Sequence, residues 1–434
     1  QSAMVWGTPE LTVDELRQNA QQQLQVNLLE LFLGHRKLDA WQSLRELELE
    51  SGAVVSASVW QPKLCSSRHS DAFAFITDTG VLWGDPLSGP LERLELPEVR
   101  DVQISADAFA ALSADGSVHA WGGFFSGGHL GAARHQLREV TQIEASHRAF
   151  AALKSDGRVV TWGDVVFGGD SSEVEDELFE VCQLKATRRA FAARRRDGRV
   201  VCWGDAAFGA DAGHVEAKLR DVVDLVATER AFAALTASGE VVAWGDPLYG
   251  GTGQLSQVEM VQASHRAFAA YSKRWGMVCW GDPEFGGDWR FETGDARVLE
   301  LSATAGAFAA LLDTGSVLCW GHRDLGGAGP GRLEGVMRLV ATNGAFAAVL
   351  AEAVVTWGSV FAGGDPEACA SLGRVEDLKG SASSFLALSG GELIAWGRGV
   401  TSDASDSEER EIPAATAATL PGDIGTSVPG PLEL

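Results

Sequence analysis

The sequence predicts a mainly β protein built from about nine short repeats, and three observations support this. Trp-Gly pairs recur along the chain with gaps of 36 to 41 residues. A run of small and apolar residues around a Phe precedes most pairs, and an Asp-Gly or equivalent turn separates the two. Self-similarity at such a period indicates a repeat architecture in which stacked copies bury a common core. The pairs begin at Trp83, Trp121, Trp162, Trp203, Trp244, Trp280, Trp320, Trp357 and Trp396.

Each repeat is predicted to contain three short strands, and residues 182–211 show the pattern. A first strand ends at Thr187, a second contains Phe191, and a third ends near Trp203. Between the last two lies Asp197-Gly198, which has the backbone freedom that a tight antiparallel hairpin demands. We expect the Phe and Trp rings to be core, because rings set among Ala let successive sheets interlock, each burying about 150 to 250 Å².

The repeat, with its hairpin, Trp-Gly-Asp and Gly-Gly turn (as in Phe167-Gly168-Gly169-Asp170), resembles that of the regulator of chromosome condensation family. The resemblance covers residues 61–398 and implies a β-propeller. The usual repeat of that family is longer, with four strands and typically seven copies. A propeller of about nine short three-stranded blades is therefore expected, and an open superhelical stack of the same blades is the alternative.

Residues 1–60 differ in kind from the repeats. An amphipathic helix is predicted from Leu11 to about Leu24, with Thr12 and Glu15 at capping-box spacing. A strand at Leu29–Leu33, a Gly turn and a final strand at Ala53–Val59 follow. This order resembles the last two-thirds of ubiquitin without its initial hairpin, so a partial ubiquitin-like (β-grasp) domain is expected.

The ubiquitin resemblance implies an integral docking module for the ubiquitin or proteasome machinery. No di-glycine follows the segment before the repeats begin, which argues against conjugation to other proteins. In ubiquitin-like folds the third strand carries the recognition patch, and Leu31 is the matching position. The alternatives are that Leu31 is ordinary core, or that the segment only caps the first blade.

Composition narrows the partners. The chain has 35 Lys and Arg against 59 Asp and Glu, a net charge of −24, so we expect no nucleic-acid partner. No apolar run approaches the roughly 18 residues that span a membrane, so no membrane partner is expected. Six cysteines without paired spacing indicate reduced thiols and a cytoplasmic location. Residues 399–434 lack hydrophobic periodicity and are predicted to be a disordered acidic tail.

The positions that vary between repeats are the candidate partner-binding residues. In four consecutive repeats an Arg directly precedes Ala-Phe-Ala: Arg148, Arg189, Arg230 and Arg266. The residues before them are His147, Arg188, Glu229 and His265. The four Arg are predicted to share one end of the blades with the Asp that follows each Trp-Gly: Asp164, Asp205, Asp246 and Asp282. Two hypotheses follow: a ladder of Arg-Asp pairs between adjacent loops, or a basic sector that binds an acidic protein segment.

The motif search shows no catalytic triad, P-loop, dinucleotide fingerprint or zinc spacing, so we expect no enzyme activity, cofactor or metal. The leading function is a noncatalytic protein-protein interaction scaffold that combines a repeat propeller with a ubiquitin-like docking module. One alternative is the substrate-recognition part of a HERC-type ubiquitin ligase. The other is a guanine-nucleotide exchange factor for a small GTPase, as the founding member of the resembled family is.

Overall fold

Nine antiparallel sheets follow one another along most of the chain, which confirms the mainly β repeat fold. The computed structural model describes residues 63–397 except 68, 78–79, 87–89, 97, 292–295, 371 and 391, together with parts of 11–59 and residues 416–418. The chain divides into two units, of which one comprises residues 64–76 and 80–418. This unit contains the nine sheets, here called blades 1 to 9.

The first unit contains a small antiparallel sheet of order β2-β1-β3. Its strands are β1 (Leu28–Leu33), β2 (Arg36–Lys37) and β3 (Ser56–Val59). Residues 13, 15, 16, 19 and 20 are helical, and the predicted capping box is present. The Thr12 amide donates to Glu15 Oε2 at 2.8 Å, and the Glu15 amide donates to Thr12 Oγ1 at 3.3 Å. The remainder of the predicted helix lies outside the described residues.

The first four blades contain strands β4 to β16. Blade 1 is β4 (Lys63–Ser66), β5 (Phe73–Thr77), β6 (Gly80–Gly84) and β7 (Glu92–Leu94); blade 2 is β8 (Val99–Ile104), β9 (Ala108–Ser113) and β10 (Val118–Gly122). Blade 3 is β11 (Val140–Ala145), β12 (Ala149–Lys154) and β13 (Val159–Gly163); blade 4 is β14 (Val181–Ala186), β15 (Ala190–Arg195) and β16 (Val200–Gly204).

The other five blades contain strands β17 to β34. Blade 5 is β17 (Val222–Ala227), β18 (Ala231–Thr236), β19 (Val241–Gly245) and β20 (Gln254–Leu255); blade 6 is β21 (Met260–Ala263), β22 (Ala267–Ser272), β23 (Gly276–Gly281) and β24 (Arg290–Phe291). Blade 7 is β25 (Val298–Ala303), β26 (Ala307–Leu312) and β27 (Val317–Gly321); blade 8 is β28 (Arg338–Ala341), β29 (Ala345–Val349) and β30 (Val354–Gly358). Blade 9 is β31 (Asp377–Gly380), β32 (Ser384–Ser389), β33 (Glu392–Gly397) and β34 (Thr416–Ala418).

Three strands per blade were predicted, and the described residues add a short fourth strand to blades 1, 5, 6 and 9. The fourth strand of blade 9 is β34, which pairs with β33. It falls inside the predicted disordered tail, so the prediction and the structure differ at those three residues. The other residues of the tail, 399–415 and 419–434, lie outside the described part of the chain.

Short 3-10 helices connect the third strand of one blade to the next blade. One set directly follows the Trp-Gly pairs: Phe124–Ser126, Val165–Phe167, Ala206–Phe208, Pro247–Tyr249, Pro283–Phe285, Arg323–Leu325 and Val360–Ala362. Below, these are called the post-Trp helices. Three more lie later in the connections: Gly131–His135, Ser172–Glu177 and Glu216–Lys218.

The blades form a closed ring, so the open superhelical alternative does not apply. First strands of successive blades pack against each other from blade 2 to blade 9, and the turn that follows the first strand in these eight blades donates a backbone hydrogen bond to the next blade's turn. The donor-acceptor pairs, at 2.8 to 3.1 Å, are Ala106–His147, His147–Arg188, Arg188–Glu229, Glu229–His265, His265–Ala305, Ala305–Asn343, Asn343–Ala382 and Ala382–Ser70. The last pair joins blade 9 to blade 1.

The predicted Phe and Trp core is confirmed. Phe and Trp lie directly opposite each other across the second and third strands, as Phe191 and Trp203 do, and their rings stack. Eight such pairs have centroid distances of 5.1 to 5.4 Å. Burial raises the pKa of the thiols of Cys202, Cys279 and Cys319, each directly before a Trp, to about 12.

The Trp also joins its blade to the preceding one, which the sequence did not reveal. Its indole N–H donates to the carbonyl of the Gly that ends the preceding post-Trp helix, at 3.0 to 3.2 Å. The pairs are Trp162–Gly127, Trp203–Gly168, Trp244–Gly209, Trp280–Gly250, Trp357–Gly326 and Trp396–Gly363. Gly209 has φ +96°, and a Cβ there would lie 2.8 Å from Phe232, so no other residue fits.

Trp244→Phe is expected to lower the free energy of unfolding by about 1 to 3 kcal/mol, because it leaves the buried Gly209 carbonyl without its donor. Trp121→Phe is the matched control. Trp121 stacks on Phe109 in the same way, but its buried indole N–H has no partner among the described residues. Thermal unfolding should therefore show a much smaller shift for Trp121→Phe. Equal shifts would mean that this hydrogen bond contributes nothing.

Candidate functional site

The predicted variable residues of the repeats lie together on one face of the ring. They occupy the turns between the first and second strands of blades 3 to 6, and this side is called the turn face below. His147, Arg188, Glu229 and His265 form an inner row, because their backbones make the ring of hydrogen bonds. Arg148, Arg189, Arg230 and Arg266 follow them in the chain and form an outer row.

A buried hydroxyl ties each turn to the post-Trp helix of its own blade. The residue before the inner-row position is Ser or Thr, and its hydroxyl donates to the carbonyl of the last helical residue at 2.8 to 3.4 Å. These pairs are Ser105–Ser126, Ser146–Phe167, Thr187–Phe208, Thr228–Tyr249, Ser264–Phe285, Thr304–Leu325 and Thr342–Ala362. The recurrence of Ser or Thr was visible in the sequence, but its partner 20 or 21 residues away was not.

The predicted ladder of Arg-Asp pairs is confirmed in three blades. Arg189, Arg230 and Arg266 contact Asp205, Asp246 and Asp282 at 3.5, 3.5 and 3.4 Å. Each Asp also caps its post-Trp helix by accepting an amide hydrogen bond, as Asp205 does from Ala207 at 3.0 Å. The Arg side chains are about 40% exposed, so each pair contributes only about 0 to 1 kcal/mol.

Arg148 departs from the ladder. Its guanidinium lies 5.4 Å from the ring of Phe167, and no carboxylate among the described residues comes within salt-bridge distance of it. Arg188, in the inner row, is likewise exposed and outside the ion pairs of the described part of the chain. Two guanidinium groups on this face therefore keep unmatched positive charge.

The outer-row Arg side chains alternate with buried or half-buried aromatic rings, which the sequence analysis missed. The ring is the last residue of a post-Trp helix, and a guanidinium lies against it from its own blade and from the next. Arg189 lies 4.9 Å from both Phe167 and Phe208. Arg230 lies 4.6 Å from Phe208 and 5.0 Å from Tyr249. Arg266 continues the series with Tyr249 at 5.1 Å and Phe285 at 4.6 Å. Such cation-π contacts each contribute about 0.5 to 1 kcal/mol when exposed.

The inner row contains polar contacts between blades. Nδ1 of His265 lies 3.5 Å from Glu229, and its Nε2 lies 3.1 Å from the amide oxygen of Asn343. A cavity of about 60 Å³ adjoins His265 and Asn343. On the other side His147 meets His69, with ring centroids 5.8 Å apart. Burial and the nearby Arg188 and Arg148 lower the pKa of His147.

Leu31, the predicted recognition residue of the first unit, lies in β1, the central strand of the small sheet, and pairs in register with Ala57 of β3. Its side chain lies outside the described residues. Among the residues that the structure does describe, no group of three or more His, Cys, Asp and Glu could hold a metal ion. The same part of the chain contains no helix long and apolar enough to cross a membrane.

No family model matches the chain, and no curated protein is significantly similar to it in sequence. Among solved structures it is similar to the CRINKLY WD40 ectodomain of the Arabidopsis thaliana receptor kinase ACR4, with 18% identity, a TM-score of 0.39, and coverage of 63% of this chain and 98% of that one. Human WBSCR16 has 16% identity and a TM-score of 0.38, and the match covers 53% of this chain and 78% of that one. Prp20p of Saccharomyces cerevisiae, a yeast protein of the regulator of chromosome condensation type, has 16% identity and a TM-score of 0.38. The match covers 53% of this chain and 74% of that one. Similarity at this level does not extend to binding partners.

Arg230→Ala is expected to lower the free energy of unfolding by about 1 kcal/mol, because it removes contacts with two rings and the pair with Asp246. The exposed Arg220, at the opposite end of blade 5, is the matched control, and Arg220→Ala should change little. Differential scanning calorimetry of both variants tests this. If the two variants have indistinguishable melting temperatures, the contacts of Arg230 with the two aromatic side chains and with Asp246 do not stabilise the fold.

His147 predicts a pH dependence. Because its pKa in the folded state is lowered from the usual value of about 6.5, the unfolded chain takes up this proton first as pH falls below that value. The contribution of neutral His147 to the free energy of unfolding is therefore complete above pH 6.5 and decreases as the pH falls toward 5. His147→Asn, which places the residue found at position 343, should reduce the fall in melting temperature between pH 7 and pH 5. The exposed His214 offers the control His214→Asn, and an equal effect there would contradict the assignment.

Proposed function

We propose that the chain is a noncatalytic protein-protein interaction scaffold, with the closed ring as support and the turn face as the binding surface. The observation that carries this is the difference between two kinds of position. Phe, Trp, Gly and the buried Ser or Thr repeat from blade to blade and hold the ring together. The inner row changes from His147 to Arg188, Glu229 and His265, although its backbone contacts are the same. Side chains that differ on an invariant frame are suited to recognition.

The chemistry of the turn face supports a protein partner with an acidic segment. Arg148 and Arg188 are exposed and have no ion pair among the described residues. A guanidinium binds a carboxylate through two parallel hydrogen bonds, which is the geometry that a Glu or Asp of a partner offers. Arg189, Arg230 and Arg266 are already matched by Asp and by rings, so their main role is to hold the turns in place.

We also propose that the first unit is a ubiquitin-like docking module for the ubiquitin or proteasome machinery. Its support is the succession of a capped helix, β1, the short β2 and β3, with β1 between the other two in the sheet. The helix, β1 and β3 follow in the order expected from the sequence, and β2 was not predicted. Leu31 in β1 is the proposed contact residue.

The two parts of the proposal make separable predictions. Arg148→Glu with Arg188→Glu in the intact chain should reduce crosslinking of partners to blades 3 to 5 by about tenfold, because two attractions become repulsions. Arg138→Glu with Arg220→Glu is the control, since these exposed Arg residues precede the first strands of blades 3 and 5 at the opposite end. Crosslinking mass spectrometry in cells gives both the amount and the location. Unchanged capture, or crosslinks confined to other blades, would contradict the turn face as the binding surface.

Leu31→Arg in the intact chain tests the docking module. Ubiquitin-pathway or proteasome components should be lost from the captured set, because a charge replaces an apolar contact at the proposed patch. Partners that depend on Arg148 and Arg188 should remain. If those components are absent from the unmodified chain or persist in the variant, the ubiquitin link is wrong while the turn-face proposal stands.

A further inference from the structure

Four consecutive post-Trp helices expose apolar side chains on the turn face. In blades 2 to 5 the first two residues of each helix are apolar. The Phe, Val and Leu side chains among them are 57 to 78% exposed. These residues, called the apolar arc, are Phe124, Phe125, Val165, Val166, Ala206, Ala207, Pro247 and Leu248. The third residue of each helix is buried. The packing of these helices on the ring is therefore already provided by residues outside the arc.

The fold does not require apolar residues at the arc positions. In blade 6 they hold Pro283 and Glu284, and in blade 7 they hold Arg323 and Asp324, within helices of the same length and geometry. Blade 8 again has Val360 and Phe361, separated from the arc by those polar helices. A contiguous apolar strip at positions where charge is tolerated indicates a contact surface.

The apolar arc lies next to the unmatched positive charges. Arg148 contacts the ring of Phe167, and Phe167 directly follows Val165 and Val166 in the same helix. Arg188 precedes Arg189, which contacts Phe167 and Phe208. Blades 3 and 4 thus carry both unmatched guanidinium groups and the exposed side chains of Val165, Val166, Ala206 and Ala207 on the turn face.

The three Asp residues that cap the helices of blades 3 to 5 are held by other groups. Asp164, Asp205 and Asp246 accept amide hydrogen bonds of 2.9, 3.0 and 3.0 Å from their helices. Asp205 and Asp246 also pair with Arg189 and Arg230. An incoming carboxylate therefore meets Arg148 and Arg188 as donors that no local Asp has matched.

We propose that the apolar arc together with Arg148 and Arg188 forms one docking surface for an amphipathic acidic segment of a partner protein. Its apolar side chains pack on the arc, and its carboxylates bind the two guanidinium groups. This rests on the proposed function and specifies the partner's pattern: acidic residues alone do not suffice. The two unmatched guanidinium groups argue for such a segment, because each can bind a Glu or Asp carboxylate through two parallel hydrogen bonds.

The test is selection of a random 16-residue peptide library, displayed on phage, against the intact chain. Enriched peptides should combine Asp or Glu with large apolar residues. The arc variant Val165→Ser, Val166→Ser and Leu248→Ser should bind them about tenfold more weakly, because three apolar contacts are lost. The control is Leu299→Ser with Met337→Ser, which changes side chains 54 and 58% exposed at the far ends of first strands in blades 7 and 8, and it should bind normally.

The outcomes separate this inference from the proposed function. Enriched acidic peptides that lack apolar residues, or that bind the arc variant normally, would overturn the role of the arc. The proposed function would survive if Arg148→Glu with Arg188→Glu still abolished that binding. No enrichment, or enrichment insensitive to both sets of substitutions, would overturn both. Cosedimentation with phosphatidylserine vesicles that is lost in the arc variant would assign the arc to a membrane and overturn the inference.

Discussion

The contact between the Trp and the preceding blade, present in blades 3 to 6, 8 and 9, is the interaction on which the rest of this structure depends. The indole stacks on the Phe of its own blade, and its N–H reaches the carbonyl of a left-handed Gly in the blade before, as Trp244 does with Gly209. One side chain thereby fills the core of one blade and holds the end of its neighbour's post-Trp helix. That helix carries the Asp cap and the aromatic residue that receive the Arg side chains. The position of the turn face is thus set by buried contacts beneath it.

In the ring, the residues that stabilise the fold are largely distinct from the residues proposed for recognition. The fold is stabilised by aromatic rings buried among Ala and by backbone hydrogen bonds between turns. These contributions to stability come from features that the blades share, so they do not depend on which side chains the exposed turn positions carry. Arg189, Arg230 and Arg266 belong to both sets, since they are partly exposed but fixed between two rings and an Asp. Arg148 and Arg188 form no ion pair with a carboxylate of the described residues. This difference, at one position of the outer row and one of the inner row, is what makes blades 3 and 4 the centre of the proposed site.

Much of the fold could be read from local pattern. Asp197-Gly198 predicted the hairpin, and Gly198 does adopt φ +78°. The pairing of Arg230 with Asp246 followed from strand order alone, because both flank one hairpin. The sandwiching of Arg189 between Phe167 and Phe208 could not be found this way. Phe167 belongs to the blade before, 22 residues earlier, and only the spacing between blades brings it to the guanidinium.

The sequence by itself determined that the chain is a repeat of nine β units with buried Phe and Trp, because periodicity and residue size act within a few residues of one another. Only the tertiary structure decided that the units close into a ring. The hydrogen bond between turns that recurs around the blades also forms from the Ala382 amide to the Ser70 carbonyl, and it joins blade 9 to blade 1. These two residues lie more than three hundred positions apart in the sequence, so no local pattern could predict it. The apolar arc is likewise a tertiary property. Phe124, Val165 and Leu248 look like ordinary core residues in the sequence, and only the packing of the residue that ends each helix turns them outward.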